Sequence, residues 1–94
     1  MIRSFRNQGT EDVFNGNDSK AARKVCPPDV MKVARRKLGF LDAVGELGDL
    51  KVYQLEKLKG DREGQHSIRV NDQYRICFVW NADAAETVEI TDYH

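Results

Sequence analysis

Two hydrophobic periods divide the chain into a helical first half and a β-rich second half. After Pro27-Pro28-Asp29, apolar residues recur every three or four positions, which is the period of an α-helix. Proline is tolerated in the first turn of a helix but not in its interior, so the helix is predicted to begin at this pair. Gly45, Gly48 and Asp49 mark its end. The apolar stripe consists of Val30, Ala34, Leu38, Leu41 and Val44.

The residues before this helix predict smaller elements. Ile2 to Phe5 indicates a short edge strand. Thr10 has the side chain of an N-cap for a short helix that ends near Asn15-Gly16-Asn17. Asp18 to Cys26 is polar and basic, which is typical of a mobile segment and equally compatible with more helix.

From Tyr53 onward the pattern becomes that of β-strands. Strands are predicted at Tyr53 to Leu58, His66 to Val70, Tyr74 to Trp80 and Thr87 to Asp92. The order of a short strand, two helices and an antiparallel meander predicts a two-layer α+β fold. The 94 residues are enough for one small domain, so residues 1–94 are expected to form a single unit.

Charge is distributed unevenly, although the formal net charge is +0. Residues 20–37 contain seven basic residues and one acid, while residues 81–92 contain four acids and no Lys or Arg. The basic run has two interpretations: a solvated helix face, or a surface for nucleic acid.

Membrane, metal and disulfide chemistry find little support in the sequence. No apolar run approaches the ~20 residues that span a bilayer, so a cytoplasmic protein without membrane contact is expected. Cys26 and Cys77 are far apart and belong to no Cys/His ligand cluster, so we expect reduced thiols, no metal site and no cofactor. Cys77 is interpreted as a small core residue.

Cationic and proton-transferring residues are concentrated in the β-rich half. Arg75 stands in the middle of a strand, where a cation is costly unless it is paired or faces a wet cleft. Its partner in an ion pair would be Glu56, Asp72 or Glu89. Lys59 lies in a turn, and its alternative role is that of an ordinary turn lysine. Tyr93-His94 ends the sequence, where chains usually fray.

We expect the meander to bring the Lys59 turn, the hairpin at Asn71 to Gln73 and the tail to one end of the sheet. Such a site suits RNA cleavage by its own 2′-hydroxyl, which needs a base, positive charge on the phosphate and an acid for the 5′-oxygen. A guanidinium such as that of Arg75 binds two phosphate oxygens at once. Lys59 supplies a second cation or a base, His94 exchanges protons near neutral pH, and Tyr93 stacks a base or donates a proton.

The motif Leu58-Lys59-Gly60-Asp61-Arg62-Glu63-Gly64, followed by Ser67-Ile68, Arg75-Ile76 and Asp92-Tyr93-His94, resembles the HigB-type toxins of bacterial toxin–antitoxin modules. These toxins, also called plasmid maintenance killer proteins, belong to the RelE/ParE superfamily. The resemblance covers nearly the whole chain. It implies a RelE-like two-layer microbial RNase fold and a ribosome-dependent endoribonuclease that cleaves mRNA in the A site to inhibit translation.

By position, the resemblance assigns the catalytic roles to Lys59, Arg75, Tyr93 and His94. It also implies a helix-turn-helix antitoxin of the HigA type, with operator DNA bound only through that antitoxin. Where better-known members have a histidine three residues before the lysine, this chain has Glu56. Glu56 is either the base or a carboxylate that pairs with Lys59 or Arg75 and weakens the site; we favour the second.

Contact with RNA or the ribosome is predicted for further basic side chains, because phosphate binding needs a cationic face. These are Arg23, Lys24, Lys32, Arg35, Arg36, Arg62 and Arg69.

Two other functions suit the same superfamily. One is a ParE-like toxin that binds a protein such as DNA gyrase; such a binder has no need for Lys59, Arg75 and Tyr93-His94 together. The other is a weakened toxin that acts mainly through its antitoxin complex, for which Glu56 is the supporting feature.

Overall fold

The computed structural model describes residues 1–92, which form a helical layer packed against a four-stranded antiparallel sheet. The helices are α1 (Gln8–Asn15), α2 (Lys20–Val25), α3 (Pro28–Ala43) and a 3₁₀ helix (Leu47–Tyr53). The strands, in spatial as in sequence order, are β1 (Glu56–Lys57), β2 (His66–Arg69), β3 (Tyr74–Asn81) and β4 (Ala84–Asp92). A single 3₁₀ turn, Gly60–Arg62, joins β1 to β2.

The hydrophobic core lies between the two layers. Ile68, Ile76 and Ile90 are in register across β2, β3 and β4, and all three are buried. The predicted stripe on α3 is confirmed, since Val30, Ala34, Leu38 and Leu41 are buried against this face of the sheet. No helix within residues 1–92 has the length and apolar content needed to cross a membrane.

The predicted N-terminal edge strand is present only as two isolated bridges. Ile2 pairs in parallel with Ala85, and Phe5 pairs with Val88. The backbone N–H of Arg3 donates to the carbonyl of Ala85 at 2.7 Å. The segment therefore covers the outer edge of β4 without forming a regular strand.

Residues 1–92 contain three α-helices rather than the two predicted. The polar segment from Asp18 to Cys26 contains α2, whose N-cap is Ser19. Helix α1 packs closely on α2 at Gly9, where a Cβ atom would lie 2.4 Å from the carbonyl oxygen of Ala21. A glycine at this point is what allows the short polar segment to gain tertiary contacts and fold as helix.

The N-cap of α1 is Asn7, and the prediction of Thr10 in that role was wrong. The Asn7 side chain accepts a hydrogen bond from the backbone N–H of Thr10 at 2.9 Å. Thr10 lies one turn into the helix and is buried, and its hydroxyl accepts a hydrogen bond from the backbone N–H of Ile90 at 3.1 Å. This bond ties α1 to the last strand.

The prediction of a strand from Tyr53 to Leu58 was wrong in its first half. The 3₁₀ helix continues to Tyr53, and the strand is reduced to Glu56–Lys57. The Tyr53 ring stacks on Phe40 of α3 with centroids 4.8 Å apart. Burial of Leu50 fixes the same segment against the core. These tertiary contacts outweigh the β propensity of the tyrosine.

Both cysteines are buried free thiols in the structure. Burial raises the pKa of the Cys26 thiol to about 11, with a further contribution from Asp29. The pKa of Cys77 is also raised, mainly by burial. Neither thiol is ionised at neutral pH.

Replacing Thr10 by valine should destabilise the fold, because the buried N–H of Ile90 would lose its acceptor. The expected decrease in the free energy of unfolding is about 1–3 kcal/mol, measured by urea denaturation. Thr10→Ser keeps the hydroxyl and should lose only about 0.8 kcal/mol for the missing methyl group. Amide exchange of Ile90 should accelerate in Thr10→Val only; equal protection in both variants would contradict the role given to this hydroxyl.

Candidate active site

The sheet has a second, polar face on the side away from the helices. Because side chains alternate along a strand, the residues next to the core isoleucines point to this face. Glu56, Ser67, Cys77 and Glu89 form one row across all four strands, each in register with the next. Ser67 and Cys77 are fully buried there, although neither belongs to the main core cluster.

Arg75 lies beside this row, and its guanidinium is held by oxygens from two directions. Its Nε donates to the hydroxyl of Ser67 at 2.7 Å, and its Nη2 donates to the carbonyl oxygen of Gln54 at 2.7 Å. The Arg75 side chain is only 11% exposed. Of the acids considered as its partner, Glu56 is the one in reach, with Oε1 at 3.9 Å from Nη1.

Gln54 contributes its backbone, not its side chain, to this arrangement. It has a left-handed conformation (φ 57°, ψ 54°) and ends the 3₁₀ helix. Such a conformation is uncommon for a residue other than glycine. The sharp change of direction turns the Gln54 carbonyl towards Arg75.

Arg69 and Arg75 are directly opposite each other on β2 and β3. Like charges at paired positions of a sheet repel, so such a pair favours an anion between them or separate counter-ions. Arg69 forms an ion pair with Asp72. These groups border a cleft of about 300 Å³, called here the Arg75 cleft. It is lined by Gln54, Glu56, Arg69, Asn71, Asp72 and Arg75.

Arg62 reaches from the turn after β1 to the acidic end of the row. Its Nη1 donates to Glu89 Oε1 at 2.7 Å and to Gln65 Oε1 at 3.2 Å. Arg6 Nε lies 3.5 Å from the other oxygen of Glu89. The Glu89 side chain is 12% exposed, so its carboxylate is largely enclosed, while Arg6 stays mostly in solvent. Arg62 therefore fastens its turn to β4 across the polar face.

Lys59 precedes this turn as its N-cap and is exposed. The expectation that the Lys59 turn and the hairpin at Asn71 to Gln73 lie at one end of the sheet was wrong. Successive connections of an antiparallel meander alternate between the two ends, and the register places these two on opposite sides of the Glu56–Ser67 pair. The turn nevertheless contacts the polar face that carries Arg75, because Arg62 of the turn bonds to Glu89 on that face.

Tyr93 and His94, which were predicted to be catalytic, lie outside the described residues. Strand β4 ends at Asp92, which is paired with Tyr74, the residue before Arg75. The Arg75 cleft is thus at the end of the sheet where β4 finishes.

His66 is the only histidine within residues 1–92, and it belongs to the core side of the sheet. Its ring stacks on Phe78 with centroids 6.2 Å apart, and its Nδ1 has no hydrogen-bond partner among the described residues. Burial, and to a lesser extent Lys57, lowers the pKa of His66, so it is neutral at neutral pH. No group of His, Cys, Asp and Glu within residues 1–92 is arranged to hold a metal ion.

The basic run between residues 20 and 37 belongs to the helical layer, not to the polar face. Arg23 on α2 pairs with Asp18 at 3.0 Å. On α3, the guanidinium of Arg35 lies against Gly16. Lys24, Lys32 and Arg36 are exposed. These five residues, called here the basic surface of α2 and α3, do not line the Arg75 cleft.

Sequence reasoning missed Ser67 and Gln54 as parts of the site. The alternation of residues along β2 puts Ser67 on the same face as Arg69, and a small hydroxyl beside a mid-strand arginine is the available signal. The Gln54 carbonyl gave no signal, because its position depends on a left-handed backbone that glutamine does not predict.

Replacing Ser67 by alanine should loosen Arg75, because Nε loses its buried acceptor. The free energy of unfolding should fall by about 1–3 kcal/mol. Ser4→Ala removes a hydroxyl that accepts from Thr87 on the exposed surface, and serves as the matched control. The Hε proton of Arg75, followed by ¹⁵N NMR, should exchange faster in Ser67→Ala than in Ser4→Ala. An unchanged exchange rate would show that Ser67 does not hold the guanidinium.

Residues 3–94 match a family model described as "RelE-like toxin of type II toxin-antitoxin system HigB". The chain is 35% identical over 96 residues to "Endoribonuclease HigB" of Proteus vulgaris, with 100% of both chains covered. It is also 35% identical over 83 residues to "Toxin HigB-1" of Vibrio cholerae serotype O1, covering 85% of this chain and 84% of the relative.

Among solved structures, this chain is similar in fold to a chain in a YoeB–YefM complex from Staphylococcus aureus. The TM-score is 0.61 at 17% sequence identity, and the match covers 100% of this chain and 98% of the other. A heterotetrameric YoeB–YefM toxin–antitoxin complex from the same organism gives the same values. At this identity the likeness concerns the fold, and it confirms the predicted α+β class.

Proposed function

Because the chain belongs to the HigB-like family of type II toxins, we propose that it is an endoribonuclease that cleaves mRNA in the ribosomal A site and so arrests translation and growth. Family membership confirms the resemblance seen in the sequence. The name of the Proteus vulgaris relative supports the endoribonuclease activity. Within this chain, the observation that carries the proposal is the pair of facing arginines, Arg69 and Arg75, at a cleft.

Arg75 acts as the phosphate clamp in this proposal. The Ser67 and Gln54 oxygens fix the plane of its guanidinium before any substrate arrives. Preorganised donors stabilise a transition state without reorganisation at the moment of reaction. As the 2′-oxygen attacks phosphorus and the bond to the 5′-oxygen breaks, negative charge grows on the phosphoryl oxygens that the clamp binds.

Proton transfer is assigned to side chains that the family motif indicates. A base takes the proton of the 2′-hydroxyl, and an acid returns a proton to the departing 5′-oxygen. Lys59 is proposed as the second cation or as the base, and its turn is held by the Arg62–Glu89 bond. Tyr93 and His94 are proposed for stacking and proton transfer on the basis of the family motif.

Glu56 is proposed to oppose phosphate binding rather than to act as the base. Its carboxylate lies 3.9 Å from Arg75 Nη1 and is 57% exposed. At that distance it is a counter-ion that a phosphate must displace. Solvent reduces the strength of such an ion pair, so Glu56 should weaken phosphate binding only modestly. A weakened toxin is the second candidate function, and this contact is the observation that favours it.

A helix-turn-helix antitoxin of the HigA type is proposed as the protein partner, with operator DNA reached only through that antitoxin. Membership of a toxin–antitoxin family and the likeness to YoeB–YefM complexes support an antitoxin partner. Contact with ribosomal RNA is proposed for the basic surface of α2 and α3, and for Arg62 and Arg69. The site of action is proposed to be the cytoplasm.

Loss of the clamp should abolish activity. Arg75→Ala is expected to lower mRNA cleavage about a hundredfold to a thousandfold, as for the loss of a preorganised transition-state donor. Arg75→Lys keeps the charge but not the bidentate fork, and should remain strongly impaired. Cleavage is measured by primer extension on translating mRNA after induction. Lys51→Ala, an exposed cation outside the cleft, is the control and should still arrest growth.

Other outcomes of the same experiment point to the alternatives. Growth arrest that persists in Arg75→Ala and Tyr93→Ala would contradict the nuclease proposal. Intact mRNA together with accumulating DNA damage would identify the gyrase-binding function. Urea denaturation of Arg75→Lys verifies that the loss of cleavage does not come from unfolding.

Removing the charge of Glu56 should increase cleavage. Glu56→Gln is expected to raise kcat/KM about twofold to fivefold, the range of an exposed ion pair of up to about 1 kcal/mol. Glu56→Asp keeps the charge and should stay near the original rate. A loss of about a hundredfold in Glu56→Gln would instead identify Glu56 as the general base.

A further inference from the structure

A second cleft adjoins the Arg75 cleft and extends it towards helix α3. It has a volume of about 370 Å³ and shares Gln54, Arg69 and Asn71 with the first. The two clefts are therefore adjacent, and together they are called here the Arg75–Lys37 groove. The remaining lining residues of the second cleft are Lys37, Val52, Tyr53 and Val70.

The balance of charge changes along this groove. At its first end, the cations are matched by acids, since Glu56 lies near Arg75 and Asp72 pairs with Arg69. At the second end, the described lining residues include Lys37 and no acid. An RNA strand that follows the groove away from Arg75 therefore meets positive charge without a local counter-ion at Lys37.

The second end also has a rigid aromatic ring beside an exposed apolar side chain. Tyr53 stacks on Phe40 with an interplanar angle of 10°, and Lys37 Nζ lies 4.8 Å from the Tyr53 ring centroid. Val52 is 80% exposed at the edge of this group. A single exposed valine is ordinary on a protein surface. Here it adjoins an aromatic ring and a cation, the two kinds of group with which proteins bind unstacked bases and phosphates.

We propose that Lys37, Val52 and Tyr53 form a nucleotide-binding subsite for single-stranded RNA, at the end of the groove away from Arg75. The base lies against Val52 and the accessible part of Tyr53, and Lys37 contacts a phosphate. The subsite rests on the proposed function, because an RNA whose scissile phosphate is at Arg75 is what extends into the groove. The subsite gives the enzyme a contact with a nucleotide that is not adjacent to the scissile phosphate.

Binding of a labelled RNA tests the subsite without requiring cleavage. The probe is a fluorescein-labelled single-stranded RNA of roughly eight nucleotides, within the usual footprint of such proteins, followed by anisotropy. Val52→Asp and Lys37→Gln each lower the net charge by one unit. Lys51→Gln makes the same change on the 3₁₀ helix that carries Val52, but Lys51 lines neither cleft, so it is the matched control.

The two subsite variants should raise the Kd for this RNA about fivefold to tenfold, the range for loss of one stacked base or phosphate contact. Lys51→Gln should stay near the original Kd. In Lys37→Gln, the dependence of log Kd on log salt should become shallower by about 0.7, the value for one phosphate contact on a single strand. Equal Kd values for Lys51→Gln and both subsite variants would overturn the proposal.

Cleavage on programmed ribosomes gives a second readout. An abasic nucleotide is placed in turn at each position around the cut in the mRNA. For the original protein, an abasic nucleotide at one position away from the cut should lower kcat/KM. For Val52→Asp, the same abasic nucleotide should leave kcat/KM unchanged. Abasic effects of the same size in both proteins would overturn the subsite. If the original protein bound RNA but cleaved none, the proposed function would be contradicted. The comparison of Kd values would still test the subsite in that case.

Discussion

The structure depends on one constraint: each strand residue points its side chain either to the core face or to the polar face of the sheet. The isoleucines of β2, β3 and β4 align beneath the helices, and this alignment fixes the register of the sheet. Once that register is set, Ser67 and Cys77 must face the other way. A slip of one residue would send Arg75 into the hydrophobic core. The packing that stabilises the fold therefore also decides which residues can take part in chemistry.

The polar face shows how neutral oxygens help to hold a cation in a sheet. Burying a charged pair is costly, and an enclosed arginine needs hydrogen bonds for its several N–H groups. Neutral oxygens of Ser67 and Gln54 provide two of these bonds, and the carboxylate of Glu56 remains partly in solvent. These contacts orient the guanidinium towards the cleft. At the other side of the row, the Arg62–Glu89 bond is a closer pairing whose effect is to hold a turn in place.

The sequence predicted most of the architecture and only part of the site. Helix α3 and strand β3 followed directly from their hydrophobic periods, because long regular patterns determine which face is buried. Tyr53 was assigned to a strand since its stacking on Phe40, a contact between distant residues, is not visible in a local pattern. The supposed meeting of Lys59 and the hairpin at one end of the sheet neglected the alternation of connections in a meander. Arg75 was identified correctly as a mid-strand cation at a cleft, but the backbone carbonyl that orients it depends on a conformation that residue type does not reveal.

The use of the Gln54 carbonyl has a consequence for how this toxin can evolve. A backbone oxygen is present whatever amino acid occupies the position, so the contact that orients Arg75 places little constraint on the residue type at position 54. Glycine, asparagine and other residues that tolerate a left-handed conformation would maintain the geometry, whereas β-branched residues would strain it. Divergent members of a lineage can therefore retain the same orienting contact with no shared residue at this position. An inventory of conserved side chains would overlook it, and the selective pressure would be seen only as the exclusion of a few residue types.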